Sequence, residues 1–240
     1  MKDKSLSKNV MKICAEDLVD GVMEILEKED GRRFKEKFWQ SGESFFAGNG
    51  IVLRKVKETD KEKYLELQKE TSLMKSMLKE ESYRNLLWNE HVVLKALMCT
   101  IEVNGEYAGY CGITDTAKEK WEIAIELLKA WRKKGIGYAA VSRMLSEIRQ
   151  RLAVCEFRIR IDPGNTASQK LFEKLGAVPN GISEFLLHGE DELARCEEEN
   201  LQYLDDNMVA LAEKFGVEPR KLLSHVLEYR IVVNEEYYGY

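Results

Sequence analysis

Proline is scarce in this sequence, three residues in 240, and no tract is dominated by a single residue type. That excludes collagen-like and low-complexity classes, and no repeat at a fixed period points to a solenoid. No window approaches the roughly 20 consecutive apolar residues that cross a bilayer. The opening MKDKSLSKNVMK also lacks the apolar run of a secretory signal. A soluble, cytoplasmic protein is expected. Histidine and cysteine are few and dispersed: His91, His188 and His225, with Cys14, Cys99, Cys111, Cys155 and Cys196, stand singly, and no CxxC occurs. Structural metal centres need clustered ligands, so no metal is expected. An excess of positive charge is missing too. The formal net charge of −5 argues against bulk attraction to nucleic acid or an anionic membrane, which leaves only a local basic site open.

What is present is an ordinary globular composition, 44% hydrophobic and 33% charged, on a chain long enough to bury a sizeable core. Val10, Ile13, Cys14, Leu18, Val22, Ile25 and Leu26 recur at spacings of three and four, the pattern of an amphipathic helix that Gly31 breaks. A second helical piece runs from Phe34 to Trp39, and SGESFFAGNG reads as a connector. A boundary near Gly50 follows, with a helical N-terminal extension over 1–49 and a larger domain over 50–240.

In that domain IVLRKV reads as a strand, Asp60 to Leu78 and Tyr83 to Leu94 as helices, and ALMCTIEV with YAGYCGI as a hairpin turned at Asn104-Gly105. WEIAIEL alternates, with Trp121, Ile123, Ile125 and Leu127 on one face and Glu122, Ala124 and Glu126 on the other. Val141, Met144, Leu145, Ile148 and Leu152 form a long helical stripe, and CEFRIRI follows as a strand, which makes a parallel crossover. DPGNTASQKLFEKLGA is a turn and a helix stopped at Gly176, and LEYRIVV is a last strand. The fold class is α/β, a mixed, mostly antiparallel sheet flanked by helices.

The stretch WRKKGIGYAA sets Arg132, Lys133 and Lys134 against Gly135-Ile136-Gly137 at the start of a helix. A strand delivered through glycines into a helix N-terminus presents free N–H groups and a positive dipole end, a geometry that suits phosphate. Neither GxGxxG nor GxxxxGK[ST] occurs, so the two common nucleotide loops are ruled out. The longer text ELLKAWRKKGIGYAAVSRMLSEI resembles the acyl-CoA motif of the GNAT superfamily of N-acetyltransferases, Arg/Gln-x-x-Gly-x-Gly/Ala, matched at Arg132, Gly135 and Gly137. The resemblance extends over most of residues 51–178: IVLRKVKETDKEKYLEL is similar to that family's opening strand and helix, VNGEYAGYCGI to its second hairpin, and NTASQKLFEKLGA to its second cofactor motif.

The resemblance implies an acetyl-CoA-dependent N-acetyltransferase. Arg132, Lys133, Lys134, Gly135, Ile136, Gly137 and Tyr138 would hold the pyrophosphate of coenzyme A, and Leu127, Leu128 and Lys129 the pantetheine arm. Asn165, Ser168 and Phe172 fall in the second cofactor motif, where Asn165 equally suits a helix N-cap. The acceptor would be a small-molecule or peptide amine. An amine attacks only when neutral, whereas lysine titrates near about 10.4 and an α-amine near about 8, so a base is required. Glu122 and Glu126, expected about 7 Å apart on one strand face, are the candidates; both also suit an ordinary solvated face. Glu122 comes first because it matches the base that several family members carry on this strand.

One departure stands at Phe172, where the family commonly places a tyrosine that protonates the departing thiolate. Tyr110, Tyr138 and Tyr229 are the substitutes, each also suited to packing. The departure supports an alternative, an acyl-CoA-binding regulatory module without turnover. HGEDELARCEEENLQYLDDN holds eight carboxylates against one arginine and is read as a helical insert over about 188–226 near the acceptor side, either an acidic rim or a solvated face. The N-terminal extension is open to packing, covering the cleft or homodimer formation.

Overall fold

The alternating and helical patterns assemble into one eight-stranded sheet. The structure, a computed structural model, describes residues 31–40 and 42–234, so the helix expected over 10–26 lies outside the described residues. Helix α1 covers the described residues 31–39. Then come β1 (Ser44–Phe46), β2 (Ile51–Lys55), α2 (Lys61–Thr71), α3 (Glu81–Val92), β3 (Leu97–Val103), β4 (Glu106–Ile113) and β5 (Trp121–Leu127). The chain continues through α4 (Ile136–Leu152), β6 (Glu156–Ile161), α5 (Thr166–Lys174), β7 (Val178–Ser183), α6 (Glu190–Glu199), α7 (Asp206–Phe215) and β8 (Val226–Val232). Spatial order is β1-β2-β3-β4-β5-β6-β8-β7. Every neighbouring pair is antiparallel except β5 and β6, joined by the α4 crossover. Asn104 and Gly105 turn the β3–β4 hairpin with φ of 51° and 85°, the positive pair that a two-residue hairpin of this hand requires.

Side-chain alternation divides the apolar residues between two faces. On one face α4 lays Val141, Met144, Leu145 and Ile148 over Cys99, Ile101, Cys111 and Ile123, and Phe172 of α5 joins them. On the other, Tyr64, Leu65 and Leu67 of α2 and Trp88 of α3 gather around Tyr110. Glu122 and Glu126 point to this second face, opposite Trp121 and Ile123.

Several expectations change. Gly31, the first described residue, is itself helical, and a Cβ there would meet the Leu94 carbonyl oxygen at 2.8 Å. The connector SGESFFAGNG holds a strand, β1, paired to β2 through Phe45 and Leu53. Three residues are too few to display an alternation. The extension therefore belongs to the core over the described residues: Phe38 is 0% exposed, its ring meets Phe45 edge-on at 5.3 Å, and its carbonyl accepts from Arg151 at 3.1 Å. The helix expected from Asp60 to Leu78 stops at Thr71, Ser72 is extended, and a 3₁₀ turn takes Lys75–Lys79. VPNGIS forms β7 despite its proline and glycine, which an edge strand with an irregular register tolerates.

The acidic segment contains helices α6 and α7. Met208, Leu211, Ala212 and Phe215 of α7 join the α4/α5 core, Lys214 pairs with Glu173 of α5 at 2.6 Å, and Phe215 meets Tyr229 at 5.0 Å. α7 thus packs on the face opposite Glu122 and Glu126, whereas the chain entering α6 lies beside Arg160 on the Glu122 side, the Phe185 ring 4.9 Å from its guanidinium. The segment's acidic run is partly spent within itself, where Glu197, 3% exposed, accepts from Arg220, Lys221 and Ser224 at 2.9–3.0 Å. No helix among the described residues is long and apolar enough to cross a membrane.

Candidate active site

Strands β5 and β6 part company after a short contact. β5 is seven residues long and β6 six, yet they pair only at Trp121–Phe157 and Glu122–Arg158. Even-numbered residues of β5 direct their backbone to β4, as the bonds from Thr114 N–H to the Glu122 carbonyl (3.1 Å) and from Leu128 N–H to the Ala108 carbonyl (3.0 Å) establish. The alternation of strand hydrogen bonding therefore turns the backbone of Ile125 and Leu127 toward the gap, where no strand partner meets it. An extended ligand arm could add to this edge as a strand does.

The basic turn opens beside that edge. Lys129–Trp131 make a 3₁₀ turn, Arg132 donates its Nε–H to the Leu127 carbonyl at 2.7 Å, and Lys133 adopts φ of 59°. Gly135 follows at φ 79°, a left-handed conformation that a side chain disfavours. A Cβ on Gly135 would meet nothing within 4 Å, so the space above the turn is open. Gly137, by contrast, packs its α-carbon toward Ile125 and Leu127, whose δ carbons lie 3.3 and 3.7 Å from where a Cβ would stand. No side chain caps α4, so the N–H groups of its first turn face outward with the helix dipole behind them. Lys134 lies over the Trp131 ring at 5.1 Å, and Lys174 of α5 over the Tyr138 ring at 4.6 Å. Lys174 thus joins the turn from another helix, a neighbour that no spacing in the sequence signals.

The segment that resembles a second cofactor motif forms the start of α5. Asn165 caps α5 by accepting the Ser168 N–H at 3.1 Å. Phe172 is 3% exposed within the main core. The Tyr229 hydroxyl donates to Glu173 at 2.9 Å, the Tyr138 ring supports Lys174, and the Tyr110 hydroxyl donates to Glu126 Oε1 at 2.9 Å.

The two glutamates of β5 have different surroundings. Four strand steps of about 3.3 Å separate them by about 13 Å, roughly twice the 7 Å of the sequence expectation, which suits residues two apart. Glu122 sits where β5 and β6 are still paired. Arg160 holds both its oxygens at 2.9–3.0 Å, and Arg158 reaches Oε2 at 3.2 Å. Glu126 lies beyond the parting of the strands. Besides Tyr110, it accepts from Gln68 Nε2 at 3.3 Å and from the Thr71 hydroxyl at 2.6 Å. That hydroxyl also lies 3.0 Å from the Leu67 carbonyl, and its single proton goes to the shorter, charged partner. Burial, and then the Glu126 charge, push the Tyr110 phenol well above its usual range, so it stays protonated. Sequence reading missed Gln68, Thr71, Arg158 and Arg160; the alternation in EFRIRI does place both arginines on the polar face.

The family model for the acetyltransferase (GNAT) domain matches residues 51–178, just over half of the chain. The chain belongs to the GNAT acetyltransferase family. A search of curated proteins gives no match. Among solved structures, the GNAT chain is similar to RimL, a ribosomal L7/L12 alpha-N-protein acetyltransferase in complex with coenzyme A, at 13% identity and a TM-score of 0.57, covering 80% of this chain and 98% of that one. It is similar to the microcin C7 self immunity acetyltransferase MccE with acetyl-CoA and AMP at 14% identity and 0.55, covering 81% and 99%. A spermidine N-acetyltransferase chimera from Vibrio cholerae and hSSAT matches at 15% identity and 0.54, covering 76% and 95%. At such identities the likeness is one of GNAT fold.

Proposed function

We propose that this protein is an acetyl-CoA-dependent N-acetyltransferase acting on a primary amine in the cytoplasm. The observation that carries the reading is the parting of β5 and β6 beside the uncapped, basic N-terminus of α4, with Glu126 on the strand just past the parting. The surroundings fit the donor: the N–H groups of Ile136, Gly137 and Tyr138 with Arg132, Lys133 and Lys134 for a diphosphate, and the β5 edge that Ile125 and Leu127 turn to the gap for an amide-bearing arm, which would then run past Leu128 and Lys129, whose N–H groups are taken by Ala108 and Glu70. Acetyl-CoA supplies an acyl group already activated as a thioester. The similar solved structures named for a protein α-amine and for spermidine support an amine as acceptor.

Of the two glutamates, Glu126 is the base in this reading. It stands where the strands have opened, and neutral donors hold it, whereas both oxygens of Glu122 are occupied by guanidinium groups. Glu126 accepts a proton from the incoming ammonium and leaves the free amine. The free amine would then attack the thioester carbonyl, forming the C–N bond as the C–S bond breaks; Phe172 has no proton to give, but a thiolate whose conjugate acid titrates near about 8.5 departs tolerably without one and takes up, directly or through solvent, the second proton that the amine nitrogen sheds.

Calorimetric titration with acetyl-CoA, followed by thiol release in the presence of polyamines, aminoglycosides, amino acids and peptides, tests the proposal. Binding with release from at least one amine is expected. Binding without release from any would favour the regulatory module that Phe172 suggests, and absence of binding would overturn both.

A further inference from the structure

Glu122 and Glu126 carry the same side chain on the same strand face, yet their partners differ in charge. Two guanidinium groups cancel the charge of Glu122. Glu126 receives only neutral donors, the Tyr110 and Thr71 hydroxyls and the Gln68 amide, and no cation pairs with it among the described residues. Neutral donors orient a carboxylate while leaving its charge available, and an uncompensated carboxylate in a partly buried cleft attracts a cation.

Each donor is itself fixed. Gln68 and Thr71 lie three residues apart and so share a face of α2. The next side chain of that turn, Glu70, accepts the Lys129 N–H at 2.8 Å, which ties the end of α2 to the end of β5 a second time. Tyr110 is wedged by His91, whose ring meets it edge-on at 4.7 Å, and by Tyr64 at 5.8 Å. His91 in turn stacks on Tyr64 at 4.3 Å. A hydroxyl on a ring packed from two sides has little freedom to leave its acceptor.

We infer that Gln68, Thr71 and Tyr110 are the positioning residues of the proposed reaction: the last turn of α2 and the aromatic box behind β4 hold Glu126 as an oriented, uncompensated anion that receives the acceptor as a cationic aliphatic ammonium. The inference rests on the reading of Glu126 as base. It assigns to α2 a role in the chemistry, and it names the acceptor class as amines protonated near neutral pH rather than arylamines.

Thr71→Val removes the hydroxyl at constant shape, and Thr71→Ser restores it. With the amine that releases thiol fastest from the native protein, Thr71→Val and Tyr110→Phe should each lower kcat about tenfold, the scale of one hydrogen bond to a charged group. KM for the amine should rise as the displaced carboxylate no longer meets the incoming cation, the calorimetric Kd for acetyl-CoA should stay within about twofold, and Thr71→Ser should keep the native rate and KM. In crystal structures the Glu126 carboxylate should leave its native rotamer in Thr71→Val and keep it in Thr71→Ser. Native kcat in Thr71→Val, equal damage in Thr71→Ser, or a matching loss of acetyl-CoA affinity would overturn the inference, as would aniline proving a better acceptor than the aliphatic amines. A native protein that binds acetyl-CoA and releases thiol with no amine would remove the proposed function first, and the inference with it.

Discussion

At the scale of single residues, removing Glu122 and removing Glu126 should have opposite signatures. Glu126→Gln should reduce kcat by about 10²–10⁴, the usual contribution of a positioned base, with acetyl-CoA affinity unchanged in calorimetry. Glu122→Gln should instead cost about 2 kcal/mol in urea unfolding, because Arg158 and Arg160, 22% and 21% exposed, lose their shared anion. The reverse pattern would restore Glu122 as the base. Gly135 at φ 79° allows a second test. Gly135→Glu should weaken acetyl-CoA binding at least tenfold through charge in the open space above the turn, whereas Gly135→Asn, which tolerates the left-handed region, should keep near-native stability. Affinity unchanged in Gly135→Glu would move the phosphate site elsewhere. Sequence spacing named both glycines, because the motif is local. It ranked the glutamates by resemblance alone, since the partners that distinguish them come from α2, β4 and β6.

At the scale of elements, α2 and α3 are held to the sheet by an aromatic cluster in which His91 sits against Tyr64, Tyr110 and Trp88. Burial, opposed by the Asp60 charge and reinforced by Lys35, lowers the His91 titration from 6.5 to about 4. Between those values the unfolded chain binds the proton and the folded one does not, so stability is lost as the pH falls from 6.5 toward 4. For a residue 6% exposed the loss is of order 3 kcal/mol. Urea unfolding at pH 7 and pH 4.5 should show most of it in the native protein and much less in His91→Gln; an equal acid loss in both would assign it to carboxylates instead. In the sequence His91 is an isolated histidine with nothing to mark it. Its neighbours lie on three elements, and a hydrophobic pattern reports which face is buried without reporting what lies across it.

At the scale of the molecule, residues 31–40 and 42–46 are an integral layer of the fold. Phe38 is fully buried, Phe45 is 6% exposed, and the Arg151 guanidinium lies 4.6 Å from the Phe45 ring centroid. Phe38→Ala should cost about 3–5 kcal/mol in chemical denaturation, the range for a large aromatic removed from a core. A cost below about 1 kcal/mol would show that this segment only leans on a domain complete from Gly50. The acidic segment shows the same dependence: α6 and α7 are both helical, and the packing of α7 against α5 places that helix away from the face of Glu126.

Local order was legible in the residues themselves. Alternation in WEIAIEL and EFRIRI, the Asn104-Gly105 turn, the α4 stripe and the glycine spacing of the basic turn each depend on neighbours within a few positions, so the sequence determines the mixed sheet and the motif by which the family is recognised. Tertiary structure alone decided the rest. Where β5 and β6 part, which glutamate has arginines and which has neutral donors, and on which face α7 lies are set by contacts between residues 16 to 58 positions apart. Such contacts depend on how whole elements pack, and no periodicity along the chain encodes that distance.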